Sequence, residues 1–200
     1  MRITGGQLKG RLLISAEGST IRPASDKVKQ ALFNIIGHDL TGYIVLDLFA
    51  GTGAYGFEAL SRGAKHVVFI DNSSEALLII KKNIAQLGVF EQCLVRQQNI
   101  IAADSFKASD GHGYFDVVFI DPPYKSGFIF PILKKAGSSD FLSPRGVIIA
   151  ETNKEENLPE KEGNLILWQV RKYGSTCLWF YIKEESADDE SKSCDLSRII

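Results

Sequence analysis

Residues 45 to 60 read VLDLFAGTGAYGFEAL, and this stretch decides the fold class. A mostly apolar run ends at Leu48, as in a buried strand, and Gly51, Gly53 and Gly56 follow in GxGxxG spacing. Such a turn carries the chain tightly from a strand into a helix. The glycines alone are weak evidence of function, because the same turn can cradle a pyrophosphate, an adenosyl amino acid or nothing.

Apolar runs alternate with helical patterns on both sides of this stretch. The runs that predict strands are 43–48, 66–70, 92–96, 115–120 and 146–150, and the patterns that predict helices are 55–63, 74–87, a short segment near 100–107, and 130–136. This alternation indicates a parallel sheet with right-handed crossovers. Two later runs, 165–172 and 176–183, are joined through YGS and predict a hairpin that closes the sheet.

The boundaries of the predicted helices follow from capping residues. Ser73 or Ser74 begins the helix over 74–87 and Gly88 ends it. At the front, 1–14 has the glycine-punctuated pattern of a hairpin, and 26–36 that of an amphipathic helix capped by Ser25. We therefore predict an α/β fold with a seven-stranded, mostly parallel, Rossmann-like sheet. The predicted organisation is an N-terminal extension (1–38), a catalytic domain (39–183) and an acidic, disordered tail (184–200).

Composition and charge narrow the class of protein. The chain has 200 residues, 44% of them apolar, and a net charge of −1. Within residues 1–30, six basic residues face two acidic ones, which indicates either a polyanion contact on one face or a solvated charged surface. No long apolar run or secretory leader is evident, so we expect a cytoplasmic protein. The three cysteines and three histidines show no metal-ligand spacing, so we expect no metal.

Two acids distinguish between the possible ligands of the glycine turn. Asp47 lies four residues before Gly51, where it would repel a pyrophosphate but would suit the ammonium of a methionine moiety. Asp71 ends the next predicted strand, where a carboxylate can accept hydrogen bonds from both ribose hydroxyls. The acids therefore favour an adenosyl amino acid over a dinucleotide.

The stretch VVFIDPPYKSG, residues 117–127, ends another buried strand. Two prolines remove backbone donors and keep the chain extended, so Asp121 and Tyr124 stay at the carboxyl edge of the sheet, where open α/β sheets bind ligands. A carboxylate and a neighbouring carbonyl can accept from the two N–H groups of an exocyclic amine. An aromatic ring beside them can stack on the base that carries the amine.

Together, DLFAGTG and DPPY resemble the motifs of the S-adenosylmethionine-dependent methyltransferases that methylate a nitrogen conjugated to a planar ring or carbonyl. The resemblance implies S-adenosylmethionine as cofactor. It implies that Asp121, Pro122, Pro123 and Tyr124 are catalytic. It also implies a set of cofactor-binding residues, in which Asn99 takes the place of the aspartate that related folds often have after the third strand. These residues are Asp47, Phe49, Ala50, Gly51, Thr52, Gly53, Asp71, Asn72, Asn99 and Asp121.

The N-terminal stretches RITGGQLKGRLL and IRPASDKVKQALFNII resemble the opening of the bacterial methyltransferases that modify N2 of guanine 966 in 16S rRNA. The resemblance extends from Arg2 to about Lys183. It implies a small-subunit or assembly-intermediate substrate and RNA contacts by Arg2, Gly5, Gly6, Lys9, Arg11 and Arg22. We expect the protein to be a monomer. The chain departs from the family pattern at Lys29 and Gln30, where arginine and glutamate are usual, and at Ala24 and Asn99.

Three alternative functions remain at the level of sequence. A DNA adenine or cytosine amino-methyltransferase would need a recognition domain to read base edges, and no such insertion is evident. A non-catalytic RNA-binding assembly factor could share the fold, although the intact Asp47, Asp71 and Asp121 argue against a loss of catalytic activity. A nicotinamide-dependent oxidoreductase would leave DPPY unexplained.

Overall fold

The computed structural model describes residues 1–15, 26–102, 114–123 and 126–184. Its described part contains one eight-stranded sheet in the order β3-β2-β1-β4-β5-β8-β7-β6. The strands are β1 (Ile44–Leu48), β2 (His66–Asp71), β3 (Cys93–Gln97), β4 (Phe115–Ile120), β5 (Leu142–Asn153), β6 (Lys161–Glu162), β7 (Leu165–Tyr173) and β8 (Thr176–Lys183). The helices are α1 (Asp26–Ile36), α2 (Ala54–Ser61), α3 (Ser74–Leu87) and α4 (Ile129–Gly137), with a short 3₁₀ turn at Phe90–Gln92.

The predicted mostly parallel α/β fold is confirmed. Strands β1 to β5 pair in parallel, whereas β8 runs antiparallel to both β5 and β7. The bounds of α1, β4 and α3 are those expected, and α3 has Ser73 as its N-cap and Gly88 as its left-handed C-cap. The Ser25 cap and most of the segment near 100–107 lie outside the described residues.

Two features of the sheet differ from the prediction. The eighth strand, β6, pairs with the start of β7. The sequence does not predict it because it is only two residues long and contains no apolar run. Strand β5 begins at Leu142, not at Gly146, because Leu142 also pairs with Phe115. The register shifts between Phe115 and Val117, so Pro144 lies in the irregular part of the strand. Gly146 allows this close approach: a Cβ there would lie 2.9 Å from the carbonyl oxygen of Phe115.

Apolar side chains cover both faces of the sheet. On one face, α1, α2 and α3 pack against alternate residues of β1, β2 and β4, and Ile3 and Leu13 of the N-terminal segment join this core. On the other face, α4 packs over the remaining strand residues. Burial on both faces is typical of a parallel sheet. No helix within the described ranges is long and apolar enough to cross a membrane.

The N-terminal segment, residues 1–14, folds back on itself and rests on α2. An antiparallel bridge pairs Arg2 with Leu12, and the amide of Leu13 donates to the carbonyl of Met1 at 2.9 Å. The carboxylate of Glu58 accepts from the amides of Thr4 and Gly5, both at 2.8 Å. The predicted hairpin is therefore present, and it packs together with the eight-stranded sheet.

Candidate active site

Four carboxylates lie toward the carboxyl edge of the central parallel strands. Asp47 and Asp71 belong to the neighbouring strands β1 and β2, which pair in parallel. Asp121 follows the last residue of β4, and Glu151 follows Ala150, which is paired with that last residue. Because parallel strands end at the same edge, the topology gathers these acids where ligands bind in open α/β sheets.

The glycine turn between β1 and α2 contacts this edge. Gly51 has a φ of 54°, and its amide donates to Oδ2 of Asp71 at 2.9 Å. A Cβ at Gly51 would meet no heavy atom closer than 3.8 Å, so the turn is open there. At Gly56 a Cβ would lie 2.2 Å from the ring of Phe69, so this glycine permits close packing of the helix on the sheet.

Asp47 is buried beneath the turn, with only 2% of its surface exposed. Its Oδ2 accepts from the amide of Gly56 at 3.0 Å. Burial raises the pKa of Asp47 to about 8, and the negative charge of Asp71 adds to the rise, whereas the Gly56 amide opposes it. A cationic ligand group that reached this carboxylate would relieve the cost of its charge.

Asp71 is partly exposed at the end of β2. Besides the Gly51 amide, it accepts from the amide of Ser73 at 2.8 Å through Oδ1. A carboxylate has about four acceptor positions, so both oxygens of Asp71 can accept further hydroxyl donors.

Two aromatic rings stand beside the turn. Phe49 has a φ of 58°, a left-handed conformation that is uncommon for a bulky residue and that clusters at functional sites. Its ring stacks on that of Phe128, with 5.8 Å between ring centroids and 5° between planes. Phe128 is exposed, so the stacked pair forms an accessible aromatic surface between the turn after β1 and the segment after DPPY.

Asp121 opens the DPPY segment. Burial raises its pKa well above the usual range, and the negative charges of Glu151 and Asp47 act in the same direction. Pro122 is buried and Pro123 is exposed, whereas Tyr124 lies outside the described residues. Perturbed acids of this kind are typical of catalytic clefts.

Glu151 and Tyr55 are the residues of this edge that sequence reasoning missed. The hydroxyl of Tyr55, on α2, donates to Oε2 of Glu151 at 2.5 Å. Both side chains line a small pocket together with Asp121. The signal was present in the sequence, because Glu151 follows an apolar run just as Asp121 does; only the strand order reveals that the two acids are neighbours.

The remaining predicted cofactor residues surround the turn. The amide of Ala50 donates to the carbonyl of Ile70 at 3.1 Å, and the carbonyl of Thr52 accepts from Nδ2 of Asn83 at 3.2 Å. Asn72 is exposed just after β2. Oδ1 of Asn99 accepts from the amides of Ile101 and Ala102, so this oxygen stabilises the turn that Asn99 begins. A cofactor contact by Asn99 stays a prediction.

The predicted RNA-binding residues divide into two groups. Arg2, Lys9 and Arg11 are exposed, and Arg11 also donates to the carbonyl of Gln86 at 2.8 Å. Gly5 and Gly6 pack closely on α2: a Cβ would lie 2.4 Å from the Arg62 guanidinium at the first and 1.8 Å from the Ser61 carbonyl at the second. The structure thus gives these glycines a packing role, and their contact with RNA stays a prediction. Arg22 lies outside the described residues.

A parallel sheet of this order, with an open glycine turn after β1, an acid ending β2 and an Asp-Pro-Pro segment after β4, defines an S-adenosylmethionine-dependent methyltransferase. The buried Asp47, the partly exposed Asp71 and the open backbone at Gly51 suit a ligand with an ammonium and ribose hydroxyls. The chain belongs to the RsmD-like methyltransferase family: a family described as conserved hypothetical protein 95 matches residues 1–182.

Relatives match over nearly their whole length. YlbH of Bacillus subtilis, provisionally described as an rRNA methyltransferase, is 37% identical over 183 residues, 92% of this chain and 99% of YlbH. Ribosomal RNA small subunit methyltransferase D of Haemophilus influenzae is 33% identical over 184 residues, 90% and 91% of the two chains. The solved structure of Escherichia coli yhhF, provisionally described as a methyltransferase, superposes with a TM-score of 0.80 at 28% identity, covering 93% and 99%.

Proposed function

We propose that this protein transfers a methyl group from S-adenosylmethionine to the exocyclic N2 of a guanine in 16S rRNA of the small ribosomal subunit, at the position equivalent to guanine 966. The observation that carries the proposal is the Asp-Pro-Pro segment at the carboxyl end of β4, beside the glycine turn. The descriptions of YlbH and of methyltransferase D support an rRNA substrate.

The chain's own residues would hold the cofactor at the β1 and β2 ends. Asp47 would pair with its ammonium, Asp71 would accept from the ribose hydroxyls, and the backbone of residues 50–53 would line its methionine part. When bound, S-adenosylmethionine supplies an electrophilic methyl group on a sulfonium. Phe49 would form the aromatic side of this site.

The DPPY segment would orient the nucleophile. The lone pair of an exocyclic amine is delocalised into the ring, and its N–H is too weakly acidic for a side chain to deprotonate it first. The carboxylate of Asp121 and the carbonyl of Pro122 would each accept one N–H, which draws the nitrogen toward tetrahedral geometry. Charge-assisted bonds of this kind contribute about 1.5–3 kcal/mol each. Asp121 or water would take the proton after transfer.

The exposed cations of the N-terminal segment would dock the RNA. Arg2, Lys9 and Arg11 are spaced along one folded strip that is packed on α2. Lysine and arginine on a rigid strip can neutralise several phosphates and set the register of a nucleic acid. Arg22 would extend the same contact.

The decisive test is transfer of labelled methyl from S-adenosylmethionine to three substrates: small subunits that lack the modification, naked 16S rRNA and duplex DNA. Digestion to nucleosides would identify the product. N2-methylguanosine at the expected position is the result we expect from the subunit. Label in DNA, label on another base, or no transfer despite cofactor binding would overturn the proposal.

A further inference from the structure

A second carboxylate stands beside the acid of the DPPY segment. Ile120 pairs with Ala150 in the parallel register of β4 and β5, so Asp121 and Glu151 occupy equivalent positions one residue further along. Neighbouring strands are about 4.8 Å apart. Both side chains line the same small pocket, whose other walls include the rings of Phe119 and Tyr55. The two carboxyl groups therefore lie side by side near the ends of β4 and β5, with Glu151 buried.

The side chain of Glu151 is oriented by a hydrogen bond from helix α2, which packs on the sheet. Tyr55 reaches it from α2 and donates its hydroxyl to Oε2 at 2.5 Å. The Tyr55 ring in turn stacks on Phe119 of β4, with 5.0 Å between centroids. Burial and the charges of Glu151 and Asp121 raise the pKa of Tyr55 well above its usual range, so its hydroxyl remains a donor. The side chain of Glu151 ends in a carboxyl group, and its Oε2 is oriented by the Tyr55 hydroxyl.

An acceptor at this place would distinguish the nucleic-acid bases by the atom next to the reactive amine. Beside its exocyclic N2, guanine carries N1–H, which is a donor. Beside N6 of adenine and N4 of cytosine the corresponding ring nitrogen is a bare acceptor. A second carboxylate next to Asp121 therefore attracts guanine and repels the other two bases, and the penalty for facing an acceptor is large because the pocket is desolvated.

We propose that Glu151, oriented by Tyr55, accepts the N1–H of the target guanine and is the residue that selects guanine among the bases with an exocyclic amine. This inference rests on the proposed function. In this arrangement Asp121 accepts from the N2–H and Glu151 accepts from the adjacent N1–H, so two neighbouring contacts orient the edge of the base. The titratable groups that interact with this pair are the carboxyl of Asp47 on β1 and the neutral phenol of Tyr55 on α2.

A base analogue separates this role from a structural one. 2,6-Diaminopurine keeps the exocyclic amine at position 2 but has an acceptor at N1. Small subunits would be reconstituted with 16S rRNA ligated so that the target nucleotide is either guanosine or the diaminopurine riboside. For each, kcat/KM for N2 methylation would be measured with wild type, Glu151→Gln, Tyr55→Phe and the control Glu155→Gln. Glu155 is an exposed carboxylate outside the pocket.

We expect wild type and the control to prefer guanine by about 5–150-fold, which corresponds to the about 1–3 kcal/mol that one bidentate contact to a base edge contributes. Glu151→Gln should lose about tenfold or more of this preference, because its amide can donate to the bare N1. Tyr55→Phe keeps the carboxylate but not its orientation, so its preference should shrink by less. Melting temperature and S-adenosylmethionine affinity should stay near wild type in Glu151→Gln.

Two results would overturn the inference alone: equal rates of wild type on both bases, or an unchanged preference in both Glu151→Gln and Tyr55→Phe. Either would still leave N2-methylguanosine as the product of wild type on guanosine. If wild type forms no N2-methylguanosine, the proposed function itself fails, and the selection role fails with it. The wild-type reaction on guanosine therefore distinguishes the two failures.

Discussion

Lys29 and Glu58 form an ion pair at 3.4 Å in which both side chains are fully buried. The ammonium of Lys29 also donates to the carbonyl of Arg2 at 2.6 Å, and Arg62 pairs with the same carboxylate at 2.9 Å. This cluster joins α1, α2 and the N-terminal segment. Lys29, at a position where the family pattern usually has arginine, therefore connects three parts of the protein internally.

Lys29→Met should therefore destabilise the fold. Removing one partner of a buried pair costs about 3–5 kcal/mol, and we expect the lower end of that range because Arg62 still neutralises Glu58. Urea denaturation would measure the free energy of unfolding. Lys27→Met, an exposed lysine on the same helix, is the matched control and should change it by less than about 0.5 kcal/mol. Equal stabilities of the two variants would refute this account.

Asp121→Ala should lower methyl transfer to the small subunit by about 10²-fold or more, because the polar contact to the reacting nitrogen is lost. The affinity for S-adenosylmethionine should stay within a few-fold of wild type. Single-turnover rates and equilibrium binding would measure the two effects separately. Asp140→Ala, a highly exposed acid, serves as control. A wild-type rate for Asp121→Ala would exclude the proposed orientation of the amine.

Asp71→Ala should show the reverse pattern, with weaker cofactor binding and a smaller effect on the rate at saturation. Loss of a charge-assisted hydrogen bond is worth about 1.5–3 kcal/mol, or about 10–150-fold in affinity. The turn at Gly51 also loses its acceptor. Calorimetric titration would give the affinity, with Glu75→Ala in the first turn of α3 as control. Unchanged affinity would place the ribose hydroxyls elsewhere.

Asp47 should make the stability depend on pH. Its pKa is raised from 3.8 to about 8 in the folded protein, so the folded state keeps a proton that the unfolded state releases between these values. The contribution of Asp47 to the free energy of unfolding is therefore fully present below about pH 4, falls as pH rises, and is lost as pH passes about 8. Asp47→Asn should remove this decline and should be more stable than wild type at pH 8.

Denaturation midpoints of wild type and Asp47→Asn from pH 5 to pH 9 would test this expectation. The difference between the two proteins isolates Asp47 from the other acids of the edge. The same variant should bind S-adenosylmethionine less well, since the carboxylate proposed to pair with its ammonium is absent. A pH-independent difference in stability would contradict the raised pKa.

Docking through the N-terminal segment should depend on salt. Arg2→Ala and Lys9→Ala should each reduce the slope of log affinity for 16S rRNA against log salt concentration by about 0.7–0.9, the share of one phosphate contact. Filter binding over a range of salt would measure the slope. Lys172→Ala on β7 is an exposed control that should leave the slope unchanged. Unaltered slopes in the first two variants would place the RNA on another surface.

The sequence was sufficient for the mostly parallel sheet, apart from β6 and the start of β5, for the glycine turn, and for the acids near the ends of β1, β2 and β4, because each follows from a local pattern of apolar runs and breakers. It was not sufficient for Glu151, whose neighbourhood with Asp121 depends on strand order. Nor could periodicity show that Lys29 and Glu58 are buried, since charged residues on amphipathic helices usually face solvent. Gly5 and Gly6 resembled a binding motif, but their closest neighbours are Ser61, the last residue of α2, and Arg62, which follows it.

The anchored N-terminal segment also bears on how fast and how tightly a polyanion can bind there. Its bridge from Arg2 to Leu12 and its bonds to Glu58 already fix the backbone in the free protein. Ordering a flexible arm would cost about 1–2 kcal/mol of conformational entropy for each residue. A partner that meets Arg2, Lys9 and Arg11 avoids most of that cost and finds the charges preorganised, so encounter need not wait for folding.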